Sequence, residues 1–162
     1  MGSKPGTSGG GMNYLCAPNS PYNLGRPPNK VRKKVHLYGI FYDKIGDLFS
    51  RDPSRNDDYK AIPCAVCEAK RRPALFMFPA QSVCPEGWMR EYHGYLMAQN
   101  SNNSRAEFIC VDADADSIAI SASHSKVPNG GALLTTVEGK CGILECPPYT
   151  IDQELTCAVC TL

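Results

Sequence analysis

The chain has 162 residues, is 43% hydrophobic and carries a formal net charge of +1, which excludes a disordered protein and fits one ordinary domain or two small ones. Near-neutral charge gives no whole-molecule field to draw in nucleic acid or an anionic membrane, and no segment approaches the roughly 20 apolar residues of a membrane span. Nine cysteines with 14 glycines and 13 prolines point instead to loop-rich modules closed by disulfides, so a secreted, extracellular setting is expected.

Residues 1–11 are rich in Gly, Ser and Pro without periodicity and are expected to form a flexible leader. They hold no apolar stretch of the kind a signal peptide needs, so the start reads as a processed or truncated edge. Residues 12–17 read as a short strand, followed by a loop with Pro18, Pro21, Pro27 and Pro28, none of which suits a central ladder. Lys30, Arg32, Lys33 and Lys34 lead into residues 35–42, where Val35, Leu37, Gly39 and Phe41 alternate with His36, Tyr38, Ile40 and Tyr42. That pattern predicts a strand with apolar character on both faces. Residues 46–60 are polar and charged and read as a surface loop, after which residues 61–67 close a first module among strand formers.

Lys70, Arg71, Arg72 and Pro73 suit a junction, but the apolar run 74–78 follows at once, so the two halves are expected to pack closely. Cys84-Pro-Glu-Gly-Trp88 opens the second half with a turn. Strands are predicted over residues 88–97, 108–111, 133–137 and 155–159, with a hairpin loop at 100–105 and a turn at 128–131. Helical periodicity is nearly absent. The expected fold is therefore mainly β with little helix, as two tandem disulfide-linked β modules packed together, residues 12–79 and 80–162.

The tandem reading rests on a repeat. Cys-Ala-Val-Cys occurs at residues 64–67 and again at 157–160; Cys16 lies 48 residues before Cys64, and Cys110 lies 47 before Cys157. Tyr14-Leu15-Cys16 and Phe108-Ile109-Cys110 both read aromatic, aliphatic, cysteine. Cys84 stands 26 residues before Cys110, and its first-half counterpart would fall about ten residues before Met1. A first module truncated at its front accounts for the odd cysteine.

Cys-x-x-Cys is also a redox or zinc spacing, but neither copy opens a helix that would lower a thiol pKa. On a strand, residues three apart face opposite sides, so each cysteine should staple a different neighbour. Cys141 and Cys146 enclose four residues and suit a local disulfide loop. Cys84, Cys110, Cys157 and Cys160 then have three possible connectivities, which sequence does not resolve. Asp112, Asp114 and Asp116 resemble the start of a calcium loop, but Ser117 and Ser123 stand where it needs Gly and Glu. His36, His93 and His124 are too scattered for a metal centre, and neither a nucleophile elbow nor a phosphate-cradling loop is present. No enzyme, cofactor or metal is expected. Asn102-Asn103-Ser104 is a glycosylation sequon, which makes Asn102 a candidate acceptor. Tyr22, Tyr92 and Tyr149 could stack on sugars, so a carbohydrate- or microbial-surface-binding module is the alternative function, with glycans as partners.

Cys84-Pro-Glu-Gly-Trp88, Gly94-Tyr95-Leu96-Met97 and Cys157-Ala-Val-Cys160 together resemble the C-terminal non-collagenous domain of type IV collagen. With Tyr14-Leu15-Cys16, Pro63-Cys-Ala-Val-Cys67, Cys146-Pro-Pro-Tyr149 and Glu154-Leu-Thr-Cys157, the chain is more similar still to the short-chain, spongin-type collagens of invertebrates, over roughly residues 10–162. The resemblance implies a non-enzymatic extracellular-matrix protein with a structural role, assembling as a homo-oligomer such as a trimer or with matrix proteins. It also implies pairing of Cys84 with Cys160, Cys110 with Cys157, Cys141 with Cys146 and Cys16 with Cys64, leaving Cys67 unpaired or intermolecular. The chain departs from the family in having no Gly-x-y repeat.

Overall fold

The computed structural model describes residues 1–3, 6, 10–22, 35–49, 54–119 and 131–162. They are mainly β and contain no helix. The strands are β1 (Gly2–Ser3), β2 (Leu37–Tyr38), β3 (Ile40–Tyr42), β4 (Leu75–Pro79), β5 (Met89–Gln99), β6 (Ile109–Asp112), β7 (Ala132–Thr136) and β8 (Thr156–Thr161). β1 and β2 form a small antiparallel pair; the other six form one sheet ordered β3-β7-β5-β8-β4, with β6 also on β5.

β5 is the strand the sheet is built on. Its residues 94–97 pair with β6, while residues 89–95 pair with β8 and 97–99 with β7. Because β6 shares positions with both β7 and β8, it lies on one side of β5 and the other two lie end to end on the opposite side. Leu96 marks the handover: its N–H donates to Leu155 and its carbonyl accepts from Val137. The glycine at 94 is obligatory, since a Cβ there would lie 1.8 Å from the carbonyl oxygen of Val111.

The core joins the two halves of the chain. Tyr42 and Phe49 from the first half pack with Met97, Val111 and Leu134 from the second, all buried. β3 joins β7 in parallel, pairing Phe41 with Leu133, so one sheet holds strands of both halves.

Several elements differ from the sequence reading. The leader is not free throughout: Gly2 and Ser3 pair with Tyr38 and Leu37, and the Met1 ammonium donates to Leu15 at 2.6 Å. Residues 12–17 form no strand. The predicted strand at 35–42 breaks at Gly39, because β2 turns to β1 while β3 turns to β7. β4, assigned to the first module, pairs wholly with β8 of the second. Residues 46–60 are more than a surface loop, because they contribute Phe49, at 6% exposure, and the buried Asp57. The predicted turn at 128–131 lies outside the described residues except for Gly131, as do the basic run 30–34, His124 and Ser123.

Candidate functional site

Four disulfides frame the chain. Cys16 is joined to Cys64, Cys84 to Cys160, Cys110 to Cys157 and Cys141 to Cys146, with Cα–Cα distances of 5.6, 6.0, 5.7 and 5.7 Å, all ordinary for the bond. β8 explains two of them. Cys157 and Cys160 lie three apart on a strand and so leave it on opposite faces, one reaching β6 and the other the turn before β5. Cys141 and Cys146 close the short loop after β7.

The first copy of the motif behaves otherwise. Residues 63–68 are exposed and outside any strand, so the expectation that both copies lie in strands is corrected. A strand needs a neighbour to satisfy its backbone, and among the described residues only 59–62 of this stretch have them: Ile62 N–H donates to Ile40, and Ala61 bridges both Phe41 and Ile118. Cys67 is a free, exposed cysteine. It lies near Tyr92, whose hydroxyl donates to the Cys110 carbonyl at 3.0 Å; burial, with Asp112 and Cys67 beside it, pushes that phenol up.

A second feature is the outer edge of β4. Among the described residues β4 pairs only with β8, and Leu75 and Phe76 are 67% and 54% exposed. Phe76, Phe78 and Trp88 form a row of edge-on rings, with centroids 4.8 and 5.6 Å apart. On the far side of β8, a bulge between Arg90 and Tyr92 displaces Glu91. Its carboxylate accepts from the buried Thr161 hydroxyl and from Arg72 at 2.7 Å, and these hydrogen bonds hold it below the usual carboxylate range. Arg72 thereby fixes the chain just before β4.

A third cluster binds the two halves of the chain. Asp57, with a side chain 3% exposed, takes Arg55 at 2.7 Å and Lys60 at 3.2 Å, and Ser117 donates to it at 2.6 Å. Burial works against its charge, but the bonds from Ser117, Arg55 and Lys60 prevail and hold the carboxyl below its ordinary value. Arg55 also donates to Ala115 O, and the Tyr42 hydroxyl to Asp116 O. Together these bonds tie residues 55–60 to residues 115–117.

The remaining candidates do not converge. Asp112 folds back on its own turn, accepting from the Asp114 N–H at 2.9 Å, so the three aspartates do not share an extended face. No metal-holding group of His, Cys, Asp or Glu occurs among the described residues. His36 packs edge-on against Tyr38, and His93 lies within β5. Tyr22 is 91% exposed, Tyr92 is engaged with Cys110, and Tyr149 lies against Gly139 beside a groove of about 320 Å³ lined by Gln81, Gln153 and Glu154. Asn102 is exposed in the turn after β5, with its N–H donating to the Asn100 side chain. No helix among the described residues is long and apolar enough to cross a membrane. No family model matches the chain, and no solved structure matches it.

Proposed function

We infer that this chain is a secreted, non-enzymatic protein of the extracellular matrix that acts in assembly through protein-protein contacts. The observation that carries the reading is the outer edge of β4, which no other described strand pairs and where Leu75 and Phe76 are largely exposed, since open apolar edges recruit other chains. Four disulfides support an oxidising compartment. The resemblance of the cysteine-bearing motifs to spongin-type collagens supports the matrix setting, and Asn102 is a glycosylation site open to modification.

The test is direct. Light scattering after size exclusion, across a concentration series, should show a species larger than the monomer, and immobilised matrix proteins should retain the chain. A strict monomer that no matrix protein retains would sink the reading. Alkylation without reduction should label Cys67 alone; bound zinc, or eight further reactive thiols, would overturn the secreted assignment.

A further inference from the structure

The hydrogen-bonding capacity of the β4 edge is self-complementary. Ala74 and Leu162 exchange both backbone bonds, at 3.2 and 3.1 Å, and Ala80 donates to Thr156 at 2.8 Å. With Phe76 opposite Cys160 and Phe78 opposite Ala158, positions 74, 76, 78 and 80 spend their backbone groups on β8. Backbone groups alternate along a strand, so positions 73, 75, 77 and 79 point outwards: Pro73, Leu75, Met77 and Pro79. Two prolines, which have no N–H to offer, bracket two full donor-acceptor positions.

We propose that β4 pairs antiparallel with β4 of a second copy of this chain, about a two-fold axis at Phe76. This rests on the assembly reading and names its partner. In that register Leu75 faces Met77 of the other copy as a reciprocally hydrogen-bonded pair, and the same pair recurs across the axis. Pro73 faces Pro79, so the positions lacking a donor meet each other and waste none. Phe76 meets its own symmetry mate in a close, non-hydrogen-bonded pair, where side chains interact most strongly. The exposed Leu75 and Phe76 become the centre of the contact.

Charge selects the same arrangement. No charged residue occurs from Pro73 to Cys84, so the edge lacks the lysine or glutamate that usually blocks such pairing. Lys70 and Arg71 precede it. Antiparallel pairing puts the two basic groups at opposite ends, roughly 30 Å apart at strand spacing and beyond the screening length of about 8 Å; parallel pairing would set them side by side. The outer strand β6 is less suited, being short, ending in Asp112 and having its Cys110 carbonyl covered by Tyr92. A contact of this length lies at the low end for specific interfaces, below roughly 1,200 Å², so the dimer should be concentration-dependent, with a dissociation constant on the order of micromolar.

Sedimentation equilibrium on the full chain in a Cys67→Ser background tests the pairing. Met77→Pro removes an outward N–H that β8 does not use, and should weaken the dimer roughly tenfold or more while leaving monomer unfolding little changed. Phe76→Cys in the same background places two thiols across the axis within disulfide reach, and should give a reducible covalent dimer even if Met77→Pro does not fold. An unchanged dimer in Met77→Pro, or a dimer that Phe76→Cys does not cross-link, would overturn the pairing and leave the assembly reading standing. A monomer that matrix proteins still retain also overturns only the pairing, and loss of that retention in Met77→Pro would show a foreign strand on the edge instead.

Discussion

Cys-Ala-Val-Cys is written twice in this chain and folded two ways. At 157–160 it is the middle of β8, with Cys157, Ala158 and Cys160 at 0% exposure and Val159 at 7%. At 64–67 all four residues are exposed, and Val66 stands at 88%. Local propensity is identical in the two, so the difference comes from neighbours. β8 has β5 on one side and β4 on the other, whereas residues 63–68 have no strand partner among the described residues. Strand preference expresses how well side chains fit a half-buried pleated surface, and without that surface it has no effect.

The disulfides break the comparison most strongly. Cys16–Cys64 and Cys110–Cys157 span 48 and 47 residues, so their constraint on the unfolded chain is nearly equal, about 4 kcal/mol each in the chain-entropy model. They differ in the folded state, where Cys157 is fully enclosed and Cys64 is exposed. Replacing Cys16 and Cys64 by alanine should therefore cost about 4 kcal/mol, and replacing Cys110 and Cys157 about 1–2 kcal/mol more, because a buried void is left behind. Guanidinium unfolding of both double variants decides it; equal losses would mean that enclosure of β8 adds nothing.

The valines give a smaller and cleaner contrast. Val159→Ala should lower stability by about 2 kcal/mol, the scale for deleting buried methyl groups, while Val66→Ala should stay within about 0.5 kcal/mol. If Val66→Ala proves as costly as Val159→Ala in the same unfolding assay, the first copy is covered in solution, and the contrast drawn between the copies fails.

How far the sequence carries depends on which link is asked of it. The β class was readable because helical periodicity is nearly absent and the strand formers at 88–97 and 108–111 are bracketed by turns, all of them local signals. The near-equal cysteine separations of 48 and 47 residues were readable too, because spacing survives whatever the two motif copies pack against. Three features were not readable. Whether residues 64–67 form a strand depends on neighbours that the copy does not itself encode. Asp57 sits in a polar stretch indistinguishable from a solvated loop until Ser117, 60 residues away in the chain, is brought to it. The bias of the β4 edge was present in Pro73 and Pro79, but reading it requires knowing which positions face β8, and that follows only from the register.

The smallest effect concerns how the first copy is held. Asp57 lies just ahead of it, and its cluster ties residues 55–61 to 115–118. Because the folded carboxyl lies below its ordinary value, its contribution is present above the unfolded aspartate range of about 3.9 and is lost as pH falls through the lower folded value. Acid should thus free the lead into the first copy before it reaches β8. Amide exchange, corrected for intrinsic rates, should rise below about pH 4 at Ala61 and Ile118, whose N–H groups bond to each other's carbonyls at 3.0 and 2.9 Å. The β8 amides should stay protected over the same range. Asp57→Asn keeps the shape and removes the charge, so exchange at Ala61 should already be raised at neutral pH and change little with acid. Simultaneous opening of Ala61 and β8 would show instead that the two copies share one cooperative unit, and that the exposed copy is held by the whole sheet and not by this carboxylate.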